Sequence, residues 1–130
     1  MLKKEINKLD EIWSSFVKEK AKYICEHCKV TGIRMEAAHV VGRRHRATRW
    51  GTYFGVHNDN VYDLCGNCFC HSCHQHYDEH GPMEGAIIER TIGVLRKALI
   101  QQRAQAIVGK SQDFEIIRAT LEMERLKCGI

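Results

Sequence analysis

The spacing of the cysteines constrains this chain more than any other feature. Three pairs share the pattern C-x-x-C, and these are Cys25/Cys28, Cys65/Cys68 and Cys70/Cys73. Two such pairs from distant parts of a chain supply the four thiolates of a tetrahedral Zn²⁺ site. A single pair would also fit redox chemistry, so the repetition is what favours metal. The sequence therefore predicts one structural zinc, built from Cys25/Cys28 and one of the two later pairs.

Composition and the N-terminal residues bear on the compartment. The total of seven cysteines is odd, which argues against a full set of disulfides, and clustered cysteines in a reducing compartment more often bind metal. The first residues lead into a charged helical pattern rather than an apolar signal region. No stretch approaches the ~18 consecutive apolar residues that a membrane span needs. We expect a soluble, cytoplasmic protein without a membrane partner.

Hydrophobic periodicity locates the helices of this chain. Its 130 residues leave room for a single domain. Apolar residues recur at helical spacing over about 3–22, and again over about 87–100 and 113–127. We expect an α+β domain spanning 1–130. Its three parts are an N-terminal helix (1–22), a zinc-stabilised centre (23–85) and C-terminal helices (86–130).

The centre of the chain lacks helical periodicity and holds six of the seven cysteines, all eight histidines and most of the aromatic residues. Short strands are predicted only at Met35–Val41 and Asn60–Leu64, each bounded by glycine, asparagine or charged residues. Pro82, the only proline, marks a helix boundary. The C-terminal helices that follow could form a homodimer, or they could cap the core.

A basic segment follows the first predicted strand. Its four members, called the arginine strip below, are Arg43, Arg44, Arg46 and Arg49. The planar guanidinium group suits bidentate phosphate contact better than the point charge of lysine. The net charge is only +4, so the local concentration of arginine, rather than the total, indicates binding to a nucleic-acid backbone. A solvated basic surface is the alternative.

His39 differs from the other histidines because small and apolar residues flank it in Ala37–Val41. A histidine on a short apolar strand is usually a hydrogen-bonded core residue. It can also be a base that is held in one tautomer. Spacing alone leaves both interpretations open.

The order of these motifs resembles the HNH endonucleases of the ββα-metal fold. The matching residues are Cys25-x-x-Cys28, Ala38-His39-Val40-Val41-Gly42-Arg43, an intervening Asn, and Cys70-x-x-Cys73-His74. The segment 43–50 is similar to phage-type HNH proteins, including the NinG-like recombination group. In related phage sequences aromatics, Pro-x-Glu and an amphipathic helix follow the Cys-His step, as Tyr77, Pro82 and Glu84 do here. The resemblance covers about 23–93.

This resemblance favours Cys70/Cys73 as the second zinc pair, with Cys65/Cys68 as the alternative. Such families place the middle Asn shortly before the second C-x-x-C, and Asn60 lies five positions before Cys65. The same count from Cys70 falls on Cys65, which is no Asn. Either the chain inserts residues between strand and helix, or Cys65/Cys68 is the zinc pair. Asn60 is the preferred HNH asparagine, and Asn67 is another candidate.

The resemblance implies a metal-dependent DNA endonuclease that hydrolyses phosphodiester bonds. His39 would be the general base, Asn60 would orient or ligate, and His74 would bind a catalytic Mg²⁺ or Mn²⁺. The structural Zn²⁺ would fix the helix that carries His74, and the arginine strip would hold DNA. Such families often have Asp or His before the base. Ala38 stands there, so the ion would have fewer protein ligands.

Two other functions compete with the nuclease. The first is a non-catalytic, zinc-stabilised DNA-binding or regulatory module, which would have no need of both His39 and His74. The second is a thiol redox protein, which would need exposed cysteines of low pKa. The resemblance further implies the cytoplasm of a bacterial or phage-infected cell. No role is predicted for Cys128, and surface or loop positions are expected for five histidines, namely His27, His57, His71, His76 and His80.

Overall fold

A computed structural model gives the fold for residues 2–41, 46, 48–53, 62–79, 93–105 and 114–129. Over these residues it contains four helices and four short strands. They are α1 (Leu2–Lys20), β1 (Met35–His39), β2 (Thr52–Tyr53), β3 (Tyr62–Asp63), β4 (Gly66–Cys70), α2 (His71–Glu79), α3 (Val94–Ala104) and α4 (Phe114–Lys127). The predicted α+β class is confirmed. None of these helices is long and apolar enough to cross a membrane.

The sheet that organises the fold consists of β1 and β4, which run antiparallel although residues 40–65 separate them. The register pairs Met35 with Cys70 at one end and His39 with Gly66 at the other. Side chains alternate across a strand, so His39 shares a face with Met35, and Glu36 lies on the opposite face. A second antiparallel pair, β2 with β3, lies within the long connection.

The second strand predicted from the sequence differs from the strand that pairs with β1. The predicted segment Asn60–Leu64 contains β3, whereas the partner of β1 begins at Gly66. The sequence Gly-Asn-Cys-Phe-Cys has little strand propensity, because Gly and Asn are depleted in strands. Pairing with β1 and complete burial of Phe69 stabilise it instead. The strand therefore depends on distant contacts that its local sequence does not show.

Helix α1 provides one wall of the core. Leu9, Trp13, Phe16 and Val17 recur at helical spacing, and each is at most 4% exposed. This face contacts β1, β4 and α4, where Ile117 and Leu121 are also buried. An ion pair between Glu19 and Arg125 joins the end of α1 to α4. Burial of each such large apolar side chain contributes about 1.5–3 kcal/mol.

Gly66 marks the closest approach of α1 to the sheet. A Cβ atom at this position would collide with the Trp13 indole and would lie 3.2 Å from the carbonyl oxygen of Ala38. The Trp13 Nε1–H donates to the carbonyl oxygen of Leu64 at 2.7 Å, just before β4. The absence of a side chain at Gly66 thus lets Trp13 lie directly against the strand that pairs with His39.

Within the described residues, the helix limits agree with the periodicity to within a few residues. The N-terminal helix ends at Lys20 rather than near 22, and α4 spans Phe114–Lys127. The helix predicted over about 87–100 is observed at Val94–Ala104. Residues 80–92, 106–113 and 130 lie outside the described part, so the other predictions for them stay predictions.

Candidate metal centre and the adjacent histidines

Four cysteine side chains meet at one end of the β1–β4 sheet. The thiols of Cys25, Cys28, Cys70 and Cys73, called the four-cysteine cluster below, all lie within 4.8 Å of one another. The sulfurs of Cys28 and Cys70 are 3.8 Å apart. Zinc–sulfur bonds of about 2.3 Å in a tetrahedron place the sulfurs about 3.8 Å apart. The donor atoms therefore fit a structural metal such as zinc.

The structure brings Cys70/Cys73, rather than Cys65/Cys68, to Cys25/Cys28. Cys70 ends β4 and Cys73 lies in the first turn of α2, so a strand–helix junction supplies this half of the cluster. Cys65 and Cys68 lie outside the cluster and are at most 1% exposed. Burial is the first cause that raises the pKa of the Cys68 thiol to about 11. This thiol is therefore an uncharged core group.

A tight turn shapes the other half of the cluster. The Cys25 N–H donates to the Val30 carbonyl at 3.1 Å, and the Lys29 N–H donates to the Cys25 carbonyl at 2.9 Å. Lys29 has a φ of 66°, the left-handed conformation that lets a chain reverse so sharply. The turn folds Cys28 back beside Cys25.

The ionisation of these thiols favours a cation between them. Burial raises the pKa of Cys25, but hydrogen bonds from the backbone N–H groups of Cys28 and Cys70 outweigh it and lower this pKa to about 7. Burial, followed by hydrogen bonds with Cys70 and Cys28, raises the pKa of Cys73. Four thiolates this close repel one another. A divalent cation offsets that repulsion and deprotonates the thiols it binds.

Glu26 fastens the first cysteine pair to β4. Its backbone N–H donates to the Cys68 carbonyl at 2.8 Å, and its carboxylate accepts from the Asn67 amide at 2.7 Å and from the Cys68 N–H at 2.9 Å. Asn67 is 2% exposed. Its side chain therefore links β4 to Glu26, the neighbour of Cys25, and its candidacy as the HNH asparagine stays a prediction.

His39 ends β1, and its imidazole contacts the backbone of Arg49 and the ring of Trp13. The Nε2 atom lies 2.9 Å from the carbonyl oxygen of Arg49, and the ring stacks on Trp13 at a centroid distance of 4.0 Å. A carbonyl oxygen only accepts, so Nε2 carries the proton of this hydrogen bond. In the neutral ring the basic lone pair then lies on Nδ1. The geometry selects one tautomer.

The carbonyl that selects the tautomer is fixed from α1. The Arg49 guanidinium donates to both oxygens of Asp10, at 3.1 and 2.8 Å, and the Trp50 indole donates to one of them at 2.9 Å. Burial acts to raise the pKa of Asp10, but the hydrogen bonds from Arg49 and Trp50 outweigh it and hold this pKa below its usual range. Asp10 is therefore an ionised anchor.

The arginine strip lies only partly within the described residues. Arg43 and Arg44 fall outside them, as does the predicted asparagine Asn60. The Arg49 side chain is 15% exposed and binds Asp10, which gives it a structural partner. The Arg46 guanidinium lies 5.8 Å from the centre of the Phe114 ring. The DNA-contact prediction for these residues stays a prediction.

His74 binds a carboxylate that the sequence analysis did not assign. Its Nδ1 lies 2.8 Å from one Glu36 oxygen, and the Nδ1 of His71 lies 2.8 Å from the other. Both Nδ1 atoms donate, because a carboxylate accepts, and the lone pair of each neutral ring is on Nε2. The bond from His74 is the first cause that lowers the pKa of Glu36. A carboxylate behind the ring is the usual support of a metal-binding histidine.

His39 and His74 approach β1 from opposite faces, because Glu36 and His39 are three positions apart on a strand. Glu36 shares its face with Ala38, the residue before the predicted base. In the sequence, the only sign of the contact between Glu36 and the two histidines was one acid in an otherwise apolar strand. Its significance appears once α2 brings His71 and His74 to Glu36. No protein-family model matches the chain, and neither does any curated protein or solved structure.

Proposed function

We propose that this protein is a metal-dependent DNA endonuclease of the HNH type. It hydrolyses phosphodiester bonds with His39 as the general base and with one divalent ion at His74. The observation that carries the proposal is the imidazole of His39, which ends β1 and is held in a single tautomer by the Arg49 carbonyl. With Nε2 as the donor of this bond, the lone pair of the neutral ring lies on Nδ1, where a general base would use it.

The His39 side chain would take a proton from water as the general base. Histidine is the side chain that has this role most often in enzymes. With the proton on Nε2, water gives its proton to Nδ1, and the hydroxide attacks phosphorus. The carboxylate of Asp10 attracts the imidazolium that results, and this attraction is one of the causes that lower the pKa of Asp10.

The arrangement of base and metal ligand follows from strand alternation. The family that the sequence resembles has metal ligand and base on consecutive strand residues, which necessarily point to opposite faces. Here Ala38 leaves the first position without a ligand, and His74, bound to Glu36, lies on that face. A divalent ion bound there would neutralise charge on the phosphate and on the leaving 3′ oxygen. Asn60 would orient or ligate.

The four-cysteine cluster supports the site without taking part in chemistry. Adjacent residues of a helix diverge by about 100°, so Cys73 can join the cluster while His74 reaches Glu36. A zinc ion in the cluster would fix the start of α2 and hence the position of His74. So small a centre gains much of its folding energy from such a metal.

Supercoiled plasmid tests the proposal directly. The zinc-loaded protein should nick it when Mg²⁺ or Mn²⁺ is added and should leave it intact when neither ion is added. Binding to the same DNA, measured in parallel, distinguishes the nuclease from the competing non-catalytic function. Retained binding without cleavage across several divalent ions would favour the non-catalytic, zinc-stabilised DNA-binding module. The proposed setting is the cytoplasm of a bacterial or phage-infected cell.

His74→Ala should lose cleavage through the divalent ion. The imidazole supplies a metal ligand, so the variant should need a higher Mn²⁺ concentration, and excess Mn²⁺ should restore part of the rate. Metal titration of the cleavage rate measures this. Gln75→Ala, at the exposed neighbouring position on α2, is the matched control and should keep the wild-type metal requirement. An unchanged requirement in His74→Ala would contradict the assignment.

Neutralising Arg43 and Arg44 should weaken binding to many DNA sequences alike. Each lost phosphate contact should reduce the slope of log affinity against log salt by about 0.9. Binding titrations at several salt concentrations measure the slope. The double variant Arg103→Gln/Arg118→Gln, on α3 and α4, removes equal charge from outside the arginine strip. Equal slopes for the wild type and the Arg43/Arg44 variant would show that DNA binds elsewhere.

A further inference from the structure

We infer that Asp10 on α1 is a positioning residue for His39. It acts through Arg49 and Trp50, whose backbone it holds so that the Arg49 carbonyl meets the imidazole. Asp10 touches neither the substrate nor the metal in this scheme. Its catalytic meaning rests on the proposed function, but its effect on the imidazole does not.

Three hydrogen bonds give Asp10 control of the segment 49–50. Two come from the guanidinium of Arg49 in a fork that fixes orientation as well as distance, and one comes from the Trp50 indole. Arg49 and Asp10 are largely shielded, with side chains 15% and 25% exposed, and Trp50 is 1% exposed. Hydrogen bonds to a charged group contribute more than neutral ones, so the carboxylate is the strongest part of this link.

The same helix supplies the other contact to the ring. Trp13 follows Asp10 by three positions, so both side chains project from one face of α1. Trp13 stacks on the imidazole with an interplanar angle of 11°, which limits rotation out of the ring plane. Asp10 fixes the Arg49 carbonyl, whose hydrogen bond with Nε2 limits rotation of the ring within its own plane. Two residues of α1 thus define the imidazole's position and its tautomer.

A purely structural role predicts something different. If Asp10 only joined α1 to the segment 49–50, its loss would lower stability and leave the imidazole unchanged. The ion pair between Glu19 and Arg125 is a link of that kind, since it joins α1 to α4. Glu19→Gln therefore serves as the matched control on the same helix.

The test is nitrogen NMR of the zinc-loaded full chain with ¹⁵N-labelled histidine, in which the His39 signals are assigned by their loss in His39→Gln. The wild type should show the Nε2–H tautomer. In Asp10→Asn the amide oxygen can still accept, but the NH2 group takes the place of the other carboxylate oxygen and faces a donor, and the charge is lost. The link to the segment 49–50 should weaken, so both tautomers should be populated. Asp10→Glu should restore part of the preference, and Glu19→Gln should keep it. If Asp10→Asn does not fold, Trp50→Phe removes one bond and should shift the tautomer less.

Cleavage gives the second readout. Asp10→Asn should cleave about 10–100-fold more slowly at saturating DNA, as expected when a reacting group is misplaced. A wild-type tautomer in Asp10→Asn, or an equal shift in Glu19→Gln, would overturn the inference. If the wild type shows the single tautomer but cleaves no DNA, the proposed function fails and the positioning role of Asp10 stands.

Discussion

Cys70→Ser should release the zinc and unfold the unit formed by β1, β4 and α2. Binding of a structural zinc contributes roughly 10–16 kcal/mol in small zinc-binding peptides, which is comparable to or larger than the ~5–15 kcal/mol stability of a whole domain. Loss of one of four thiolates should therefore exceed what the rest of the core can offset. Metal analysis and thermal unfolding of the purified variant measure both effects.

Cys65→Ser is the matched control for this prediction. Cys65 is 1% exposed but lies outside the four-cysteine cluster, so the substitution affects only core packing. Placing a hydroxyl at this buried position should cost about 1–3 kcal/mol, as burial of a polar group typically does. The variant should retain one zinc per chain. Loss of zinc from Cys65→Ser with retention in Cys70→Ser would show that the other pair holds the metal.

His39→Ala should abolish cleavage while zinc content and DNA affinity stay near wild type. Loss of a general base typically reduces the rate by about 10²–10⁴-fold and leaves phosphate contacts in place. Single-turnover cleavage, metal analysis and a binding titration on one preparation separate the three properties. His76→Ala, on α2 and outside the Trp13 stack, controls for the removal of an imidazole.

The opposite outcome is informative as well. His39 stacks on Trp13, so its removal also takes packing from the inner face of α1. If His39→Ala loses its zinc or its fold, His39 is a core histidine. His39→Gln, which retains much of the volume and an amide that can donate to the Arg49 carbonyl, then distinguishes a packing role from a chemical one.

The sequence predicted features that depend on local spacing. The buried face of α1 follows from helical periodicity, because Leu9, Trp13 and Phe16 repeat every three to four residues. The C-x-x-C spacing predicted a metal centre, and the structure contains four cysteines that could hold zinc. Spacing alone did not choose between the two later pairs. That choice came from the family resemblance, and the structure brings Cys70 and Cys73 to the cluster.

The features that sequence analysis missed are long-range pairings. Glu36 meets His71 and His74 from 35 and 38 positions away, and Asp10 meets Arg49 from 39 positions away. No local pattern encodes such a meeting, since it depends on which strand pairs with β1. The contact of Glu36 with the two histidines was missed because the strand β4, which carries α2 to β1, was missed. The contact of Asp10 with Arg49 was missed because a charged residue on an amphipathic helix is ordinarily expected to face solvent.

The long connection between β1 and β4 bears on how such a protein can change over evolution. The strand pairing and the four-cysteine cluster are both formed by residues outside 40–65, and the cluster lies at the far end of the sheet from this connection. Closure entropy grows only with the logarithm of loop length, so doubling a flexible loop costs about 0.6 kcal/mol. Insertions that keep the buried Trp50 and Leu64 in place should therefore cost the scaffold little stability. If the arginine strip holds DNA as proposed, new target preferences can arise there while the metal centre is inherited unaltered.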